Sequence, residues 1–573
     1  MSDAKDPGPD QIKASDLFVK CLEAEGVEYI FGVPGEENAD MMISLMDSKI
    51  KFILTRHEQG AAFMACGYAM YTNKLGVCFA TAGPGAFNLF SGLAVAMSDS
   101  YPLLAISGYS SLDWRGKGAL NETSGVNRTP DSQAMFSATA KKSWLLTDVA
   151  DTMDVLEEAV NLAYEGRPGP VHIHVPENLT HRGVEVQNYR DLRLTIAPVL
   201  PDPARVAEIA DYLADAFAKN KKVVALVGFG AIRSDAGAEV RHLIERFQLP
   251  LLTTLDGKGI VEESHPLAVG VFCDSGHASA WKAFLDADVV IAVGNSLNQH
   301  ATFGYRPDLF ANRTLIHINI SEMEIDKAYK ADYALVSDAK RALVALIDAL
   351  EKKVGPRPPA KVDHRDYEAR LLLPRPGGIH PGKLAQAIGR MLPPRGILLA
   401  DAGAHLAWLG YFVELAQGQN FRKPGTFGPM AGHVNGAIGL KMAHPDRAVV
   451  VGCGDGCYSL SGFELMTAVE HSLPIIWIIF DDGEFKLIKL YQLSAFMETG
   501  LVEFKNPDFA AYARAFGGFG ATVENTADFP AAFAAAERSR LPAIIHLKVD
   551  PEAITPTTTL TRIRQTAIAG RPG

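Results

Sequence analysis

Positive charge is the first thing this sequence is short of. Its 573 residues carry 55 Lys and Arg against 66 Asp and Glu, a formal net charge of -11. No basic arm or stripe offsets that balance, which removes the electrostatic case for DNA, RNA or an anionic membrane as partner. Long hydrophobic runs are missing as well. "IIWIIF" is far too short to span a bilayer, and the N-terminal "MSDAKDPGPDQIKASD" has no apolar stretch of the secretory kind. Cysteine is scarce. The six (Cys21, Cys66, Cys78, Cys273, Cys453, Cys457) are scattered through apolar or glycine-rich stretches. That usage suits reduced thiols in a cytoplasmic, soluble protein better than a disulfide framework. Cys453 and Cys457 have no second Cys/His pair nearby, so small residues near a tight turn explain them better than zinc.

What the chain has is glycine, 51 of them, and an ordinary 48% of apolar residues. Its length calls for several domains. From residue 12 to 190, strand-like runs ("YIFGV", "FILT", "VCFAT", "LLAISG", "VHIHV") alternate with helix-like stretches such as "ASDLFVKCLEAEG" and "EQGAAFMACGYAMYT". A second unit over 200–352 holds "VVALVG", "LLTT", "VVIAVG" and "LIHINI". A proline- and charge-rich linker over 353–378 follows. A third unit over 379–555 holds "GILLADAG", "AVVVGCGDG", "IIWIIFDDG" and "AIIHLKV", and 556–573 reads as a tail. Strands alternating with helices imply α/β architecture: three doubly wound parallel-sheet domains.

The informative stretch is "VVVGCGDGCYSLSG", where Asp455 sits between two glycines at the end of a valine run. A strand, one crossover helix and the strand "PIIWIIF" then lead to "DDGEF". A right-handed crossover brings the carboxyl ends of the two strands together, so Asp455 and Asp482 meet where open α/β sheets bind ligands. Two carboxylates there repel unless a cation lies between them, and magnesium favours one or two carboxylates plus ligand phosphates. Gly454 and Gly456 let phosphate and metal reach the main chain. Taken alone, "GDG" favours Asp455 as a cap of the following helix; the pairing with "DDG" favours a metal and diphosphate.

The same motif resembles the fingerprint of thiamine-diphosphate enzymes. "FGVPGEEN", "TRHEQGAAFMACGYA", "TAGPGAFNL", "AMSDSYPLLAISG", "TTLDGKGIVEESHPLAVG" and "DAGAHLAW" resemble its acetolactate synthase branch, in order. The resemblance implies thiamine diphosphate and Mg2+ as cofactors. Asp455, Asp482 and the Glu484 carbonyl would be the metal ligands. Glu58 would be the glutamate that shares a proton with the aminopyrimidine ring, a role that a raised pKa at an apolar interface would suit. Read by itself, Glu58 is a helix-start residue stabilised by the dipole. The Gly428 carbonyl and Met430 would hold the cofactor bent, although a methionine there could simply fill core. Gly403, Ala404 and His405, with Gly454, Gly456 and Cys457, would complete the cofactor-binding set. The activating glutamate and the diphosphate site would belong to different subunits, giving a homodimer or a dimer of dimers, a homotetramer.

Departures bear on substrate. Asp481-Asp482 replaces the usual Asn-Asn, and Tyr491 stands where biosynthetic acetolactate synthases carry tryptophan. Arg128 replaces a glutamine and could bind a carboxylate, though a surface arginine is the commoner outcome. Glu36 falls where pyruvate decarboxylases carry an aspartate and could relay a proton, or cap the next helix. "HPLAVGVFCDSG" lacks Met-His-Gly and a nearby arginine, which argues against pyruvate as acceptor and against FAD. The dinucleotide-like "VVALVGFGAIRSDAG" has Ser234 at the third glycine position, so the central domain is expected to be empty.

The expectation is decarboxylation of a small 2-oxo acid with transfer of the acyl anion equivalent to an acceptor carbonyl. The alternatives are a non-ligating decarboxylase, an acyl-CoA lyase whose middle domain binds the nucleotide, and a non-catalytic nucleotide-binding scaffold.

Overall fold

A computed structural model of the chain describes residues 10–185, 191–364, 378–556 and 558–559. Most of the expected linker and tail lies outside them. The chain divides into two compact units: Met1–Ala197 with Pro424–Pro445 and Leu460–Leu473, and Pro198–Lys423 with Asp446–Ser459 and Pro474–Gly573.

The first unit is built on a six-stranded sheet in the spatial order Lys51–Leu54, Tyr29–Gly32, Gly76–Ala80, Leu103–Tyr109, Pro170–Pro176, Ser143–Leu145. All its pairs are parallel. "GVCFA" and "LLAISGY" are buried at every position, which is why they read as unbroken small and apolar runs rather than alternating ones. A short antiparallel pair, Gln11–Lys13 with Gly183–Glu185, lies apart from the sheet. The helix Glu58–Ala69 is buried at eleven of its twelve residues. It packs on the equally buried helix Gly432–Ala443. The two backbones touch: a Cβ on Gly67 would lie 1.9 Å from the Gly436 carbonyl oxygen, and one on Gly439 would lie 1.8 Å from that of Met64.

The second unit holds two more parallel sheets. One runs Ala268–Val271, Leu251–Thr253, Val223–Val227, Val289–Val293, Thr314–Asn319, Tyr333–Val336. In chain order this is 3-2-1-4-5-6, the dinucleotide-fold arrangement. The other runs Asn420–Arg422, Ile397–Ala400, Val449–Gly454, Ile475–Asp481, Ala543–Lys548, Phe519–Val523. Its order, 2-1-3-4-6-5, repeats that of the first unit's sheet. Ile478, Ile545 and Leu398 are wholly buried in its core, each side chain worth about 1.5–3 kcal/mol removed from water.

One element departs from expectation. The single crossover helix after Asp455 is three pieces: Asp455–Ser461, a tight turn Gly462–Glu464, and Leu465–Glu470. The break falls at Ser461, whose φ of -155° and ψ of 23° leave the helical region just ahead of Gly462.

Candidate active site

In the third sheet the chain reverses direction between Ile397–Ala400 and Val449–Gly454, and a ligand crevice opens at such a switch point. Gly403, with φ +143°, starts the helix Ala404–Phe412, whose first residue is half-buried. His405 is buried in its first turn and stacks on Phe480, ring centroids 5.6 Å apart. Its ring bonds the Asp401 main chain, but burial outweighs that bond and lowers its pKa to about 4. Its Nε2 is buried without a partner. An orphaned polar atom at this place fits a diphosphate oxygen.

Asp455 follows the strand Val449–Gly454, which pairs in register with Ile475–Asp481 up to Gly454 opposite Phe480. The spacing therefore delivers both aspartates to one edge. Asp455 Oδ1 accepts from Gly456 N at 2.8 Å. Its Oδ2 accepts from Gly483 N at 2.8 Å and Asn506 Nδ2 at 2.6 Å. The carboxylate thus reaches across to the neighbouring loops instead of capping the second or third amide of its own helix. Burial, and then the Asp482 charge, raise its pKa, and burial also raises that of Asp482. A buried carboxylate and a partly buried one that resist ionising together suit a divalent cation. Among the described residues no three His, Cys, Asp or Glu side chains form a ready cage. Glu484, whose carbonyl is the expected ligand, pairs its side chain with Lys489 and leaves that carbonyl out of the pair.

Lys486 and Asn506 were missed in the sequence. The Lys486 ammonium, buried at the start of the helix Lys486–Phe496, lies 2.8 Å from Asp482 Oδ2. Asn506 bridges Asp455 and Asp481, at 2.7 Å from Asp481 Oδ1. Asp481 turns away to His546 (2.6 Å) and Lys548. Burial raises its pKa, but those bonds and the one from Asn506 outweigh it and hold the carboxyl below the usual range. Its extra charge is thus balanced locally. Cys457 Sγ donates to Ala402 O at 2.8 Å, whereas Cys453 Sγ faces Ile478 O at 3.9 Å.

The first unit carries the other expected residues. Glu58 is buried as the first residue of its helix. That position is the one the dipole reading uses, while the N-cap bond is made by its neighbour: His57 Nδ1 accepts from Gln59 N at 3.1 Å. Glu58 Oε2 instead accepts from Asn88 Nδ2 at 2.9 Å. Gly428 has φ +62°, and Met430 is half-buried just before the helix Gly432–Ala443. Glu36 is exposed, and its neighbour Glu37 is the buried one, bonded to Thr81 and, at 2.7 Å, to Asn121. Arg128 is exposed in a turn with φ +70°, and Tyr491 is exposed too.

Family models decide the identity. "Thiamine pyrophosphate enzyme, N-terminal TPP binding domain" matches residues 12–129, the central domain of the same enzymes matches 210–346, and their C-terminal TPP binding domain matches 401–547. The chain is 30% identical to a probable acetolactate synthase large subunit of Methanocaldococcus jannaschii, over 95% of this chain and 93% of that one. It is 32% identical to the acetolactate synthase large subunit of Parasynechococcus marenigrum, over 94% and 88%. It is 30% identical to acetolactate synthase isozyme 2 large subunit of Escherichia coli, over 94% and 96%. The chain belongs to the thiamine pyrophosphate enzyme family. This thiamine pyrophosphate enzyme is an α/β protein of three domains, each built on one parallel sheet. Among its described residues, no helix is long and apolar enough to cross a membrane.

Proposed function

We propose that this enzyme, with Mg2+ and thiamine pyrophosphate, decarboxylates a small 2-oxo acid and transfers the acyl anion equivalent to an acceptor carbonyl. The observation that carries this reading is the Asp455–Asp482 pair beside the orphaned His405 Nε2, in a chain similar throughout to acetolactate synthase large subunits. When bound, the cofactor supplies an electron sink for the carbon that loses carbon dioxide and a nucleophilic carbon for the acceptor. The protein does the rest. Asp455, Asp482 and the Glu484 carbonyl would hold the metal, with Lys486 balancing the second carboxylate. Gly403, Ala404, His405, Gly454, Gly456 and Cys457 would line the diphosphate. Glu58 would hold and move the proton at the pyrimidine ring, oriented by Asn88. Gly428 and Met430 would bend the cofactor, and the exposed Glu36 and Arg128 are read as substrate-side groups. Low polarity around the cofactor would favour loss of the charged carboxylate.

The enzyme is read as a cytoplasmic homodimer or dimer of dimers. Exposed Phe463 and Leu460, 62% and 61% accessible, are consistent with such contacts. Incubation with a panel of 2-oxo acids, alone and with aldehyde or keto-acid acceptors, tests the reading by product mass. Carbon dioxide release without any ligated product would favour the simple decarboxylase.

A second reading concerns the central domain. Its glycines pack on one another, since a Cβ on Gly228 would lie 2.5 Å from Gly294 O. Asn295 Nδ2, just past the end of the strand Val289–Val293, and His317 Nδ1, within the next strand, are buried without partners. They favour a bound nucleotide and with it the acyl-CoA lyase. Absorbance and mass analysis of the denatured, as-purified protein distinguish FAD, another nucleotide and none.

A further inference from the structure

The carboxylate of Glu464 is 2% exposed and carries more bonds than a structural surface glutamate would. Its Oε1 accepts from the main-chain N–H of Arg56 at 2.9 Å and of His57 at 3.0 Å. Its Oε2 accepts from Thr467 Oγ1 at 2.7 Å. These two amides immediately precede Glu58. The helix leaves room for the visitor at Gly60, where a Cβ would lie 2.5 Å from Glu464 Oε1. The neighbouring Arg56 guanidinium is held separately, by Glu470 at 2.7 Å and Leu54 O at 3.1 Å. A side chain 407 residues further along the chain than His57 therefore fixes the turn from which Glu58 projects.

We propose that Glu464 is a positioning residue for Glu58. By binding the Arg56 and His57 amides, which lie just ahead of the helix, it holds the turn from which the Glu58 side chain projects. This rests on reading Glu58 as the proton-exchanging group. It makes the segment after the Gly-Asp-Gly motif part of the pyrimidine side of the chemistry, through main-chain geometry alone.

The test uses the full-length enzyme as wild type, Glu464→Ala, Glu464→Gln, Thr467→Val and Glu58→Gln. Three readouts are needed: deuterium exchange at the thiazolium C2 of bound thiamine pyrophosphate, cofactor affinity, and amide exchange at Arg56 and His57 in cofactor-free protein. Glu464→Ala is expected to slow C2 exchange roughly ten- to a hundredfold while cofactor affinity stays within about threefold. The two amides should exchange at least about tenfold faster, because their acceptor is gone. Glu464→Gln keeps an oxygen for both amides and should restore both readouts to within about threefold of wild type. Thr467→Val loosens only Oε2, so it should give a smaller slowing of C2 exchange, about threefold, even where Glu464→Ala does not fold. C2 exchange at the wild-type rate in the Ala or Val variant, with Glu58→Gln slow, overturns the inference. So does a Gln variant as slow as Ala with its amides still protected, since charge would then matter rather than the cradle. If Glu58→Gln itself exchanges normally, the reading of Glu58 has failed and takes this inference with it.

Discussion

The sheets at Tyr29–Pro176 and Ile397–Lys548 share the order 2-1-3-4-6-5 and treat the same crevice in opposite ways. In the third sheet the switch point keeps its chemistry open: His405 Nε2 has no partner, and Asp455 faces the charge of Asp482. In the first sheet the equivalent place is filled from within. Glu37 is bonded there to Thr81 and Asn121, and Gly35 lies so close that a Cβ would sit 2.3 Å from Thr81 Oγ1. The first sheet's key carboxylate, Glu58, sits instead at the start of the helix after its second strand in sequence. Topology offers a place, and side chains decide whether a ligand takes it.

The sharpest way to break this contrast is to exchange the losses. Asp455→Ala should weaken retention of thiamine pyrophosphate and Mg2+ by roughly a thousandfold or more, about 4 kcal/mol, with the fold intact by circular dichroism. Glu37→Ala should leave cofactor affinity near wild type and lower thermal stability, because it strips two buried bonds. Equal cofactor loss in both variants would erase the distinction. Next in size is Glu58→Gln, expected to slow turnover and C2 exchange about a hundred- to ten-thousandfold while the cofactor still binds. A loss under about tenfold, roughly 1.4 kcal/mol, would return Glu58 to a helix-start role.

Smaller effects separate the scaffolds. Gly439→Ala pushes a methyl group against the Met64 carbonyl and should cost about 1–3 kcal/mol or more, read from denaturant midpoints. The smallest concerns pH. Burial lowers the pKa of His405 to about 4 and that of His174, in the first sheet, to about 3. Each folded pKa is depressed, so the stability each contributes is complete above about pH 6.5 and lost as pH falls through the folded value. Replacing His405 by Leu should therefore flatten unfolding free energy between about pH 6.5 and 4, by up to about 1.4 kcal/mol per pH unit. His174 has both ring nitrogens bonded, to Ser107 and Ser132. In an NMR titration, added cofactor should move the His405 pKa upward and leave that of His174 in place.

Much of this could be read from residue order. Unbroken apolar strands such as "IIWIIF" carried the sheets, and the Asp455–Asp482 spacing carried the edge where the two aspartates meet, because buried parallel strands and glycine-flanked carboxylates leave strong signals. The strands passed over, Ser143–Leu145, Ala268–Val271, Tyr333–Val336, Asn420–Arg422 and Phe519–Val523, are all sheet edges. Most are short, and "FGATV" or "YALV" shows no clean period. Asn506, Lys486, Asn88 and Glu464 escaped for another reason: each acts through a fold-dependent contact. Lys486 alone left a local trace, four residues after Asp482 at a helix start. The broken crossover hid in "YSLSGFEL", whose pattern stays amphipathic through the break.

The helix Glu58–Ala69 has a consequence for biosynthesis. Its partner surfaces, Pro424–Pro445 and Leu460–Leu473, emerge from the ribosome up to 276 residues (473 minus 197) after Ala197 has been made. At about 5–20 residues per second, that leaves the nascent first unit incomplete for roughly 14–55 s, with an apolar helix lacking its cover. Chaperone dependence during translation, and insoluble fragments from any truncation ahead of Pro424, are the expected marks of a unit closed by residues so distant in the chain.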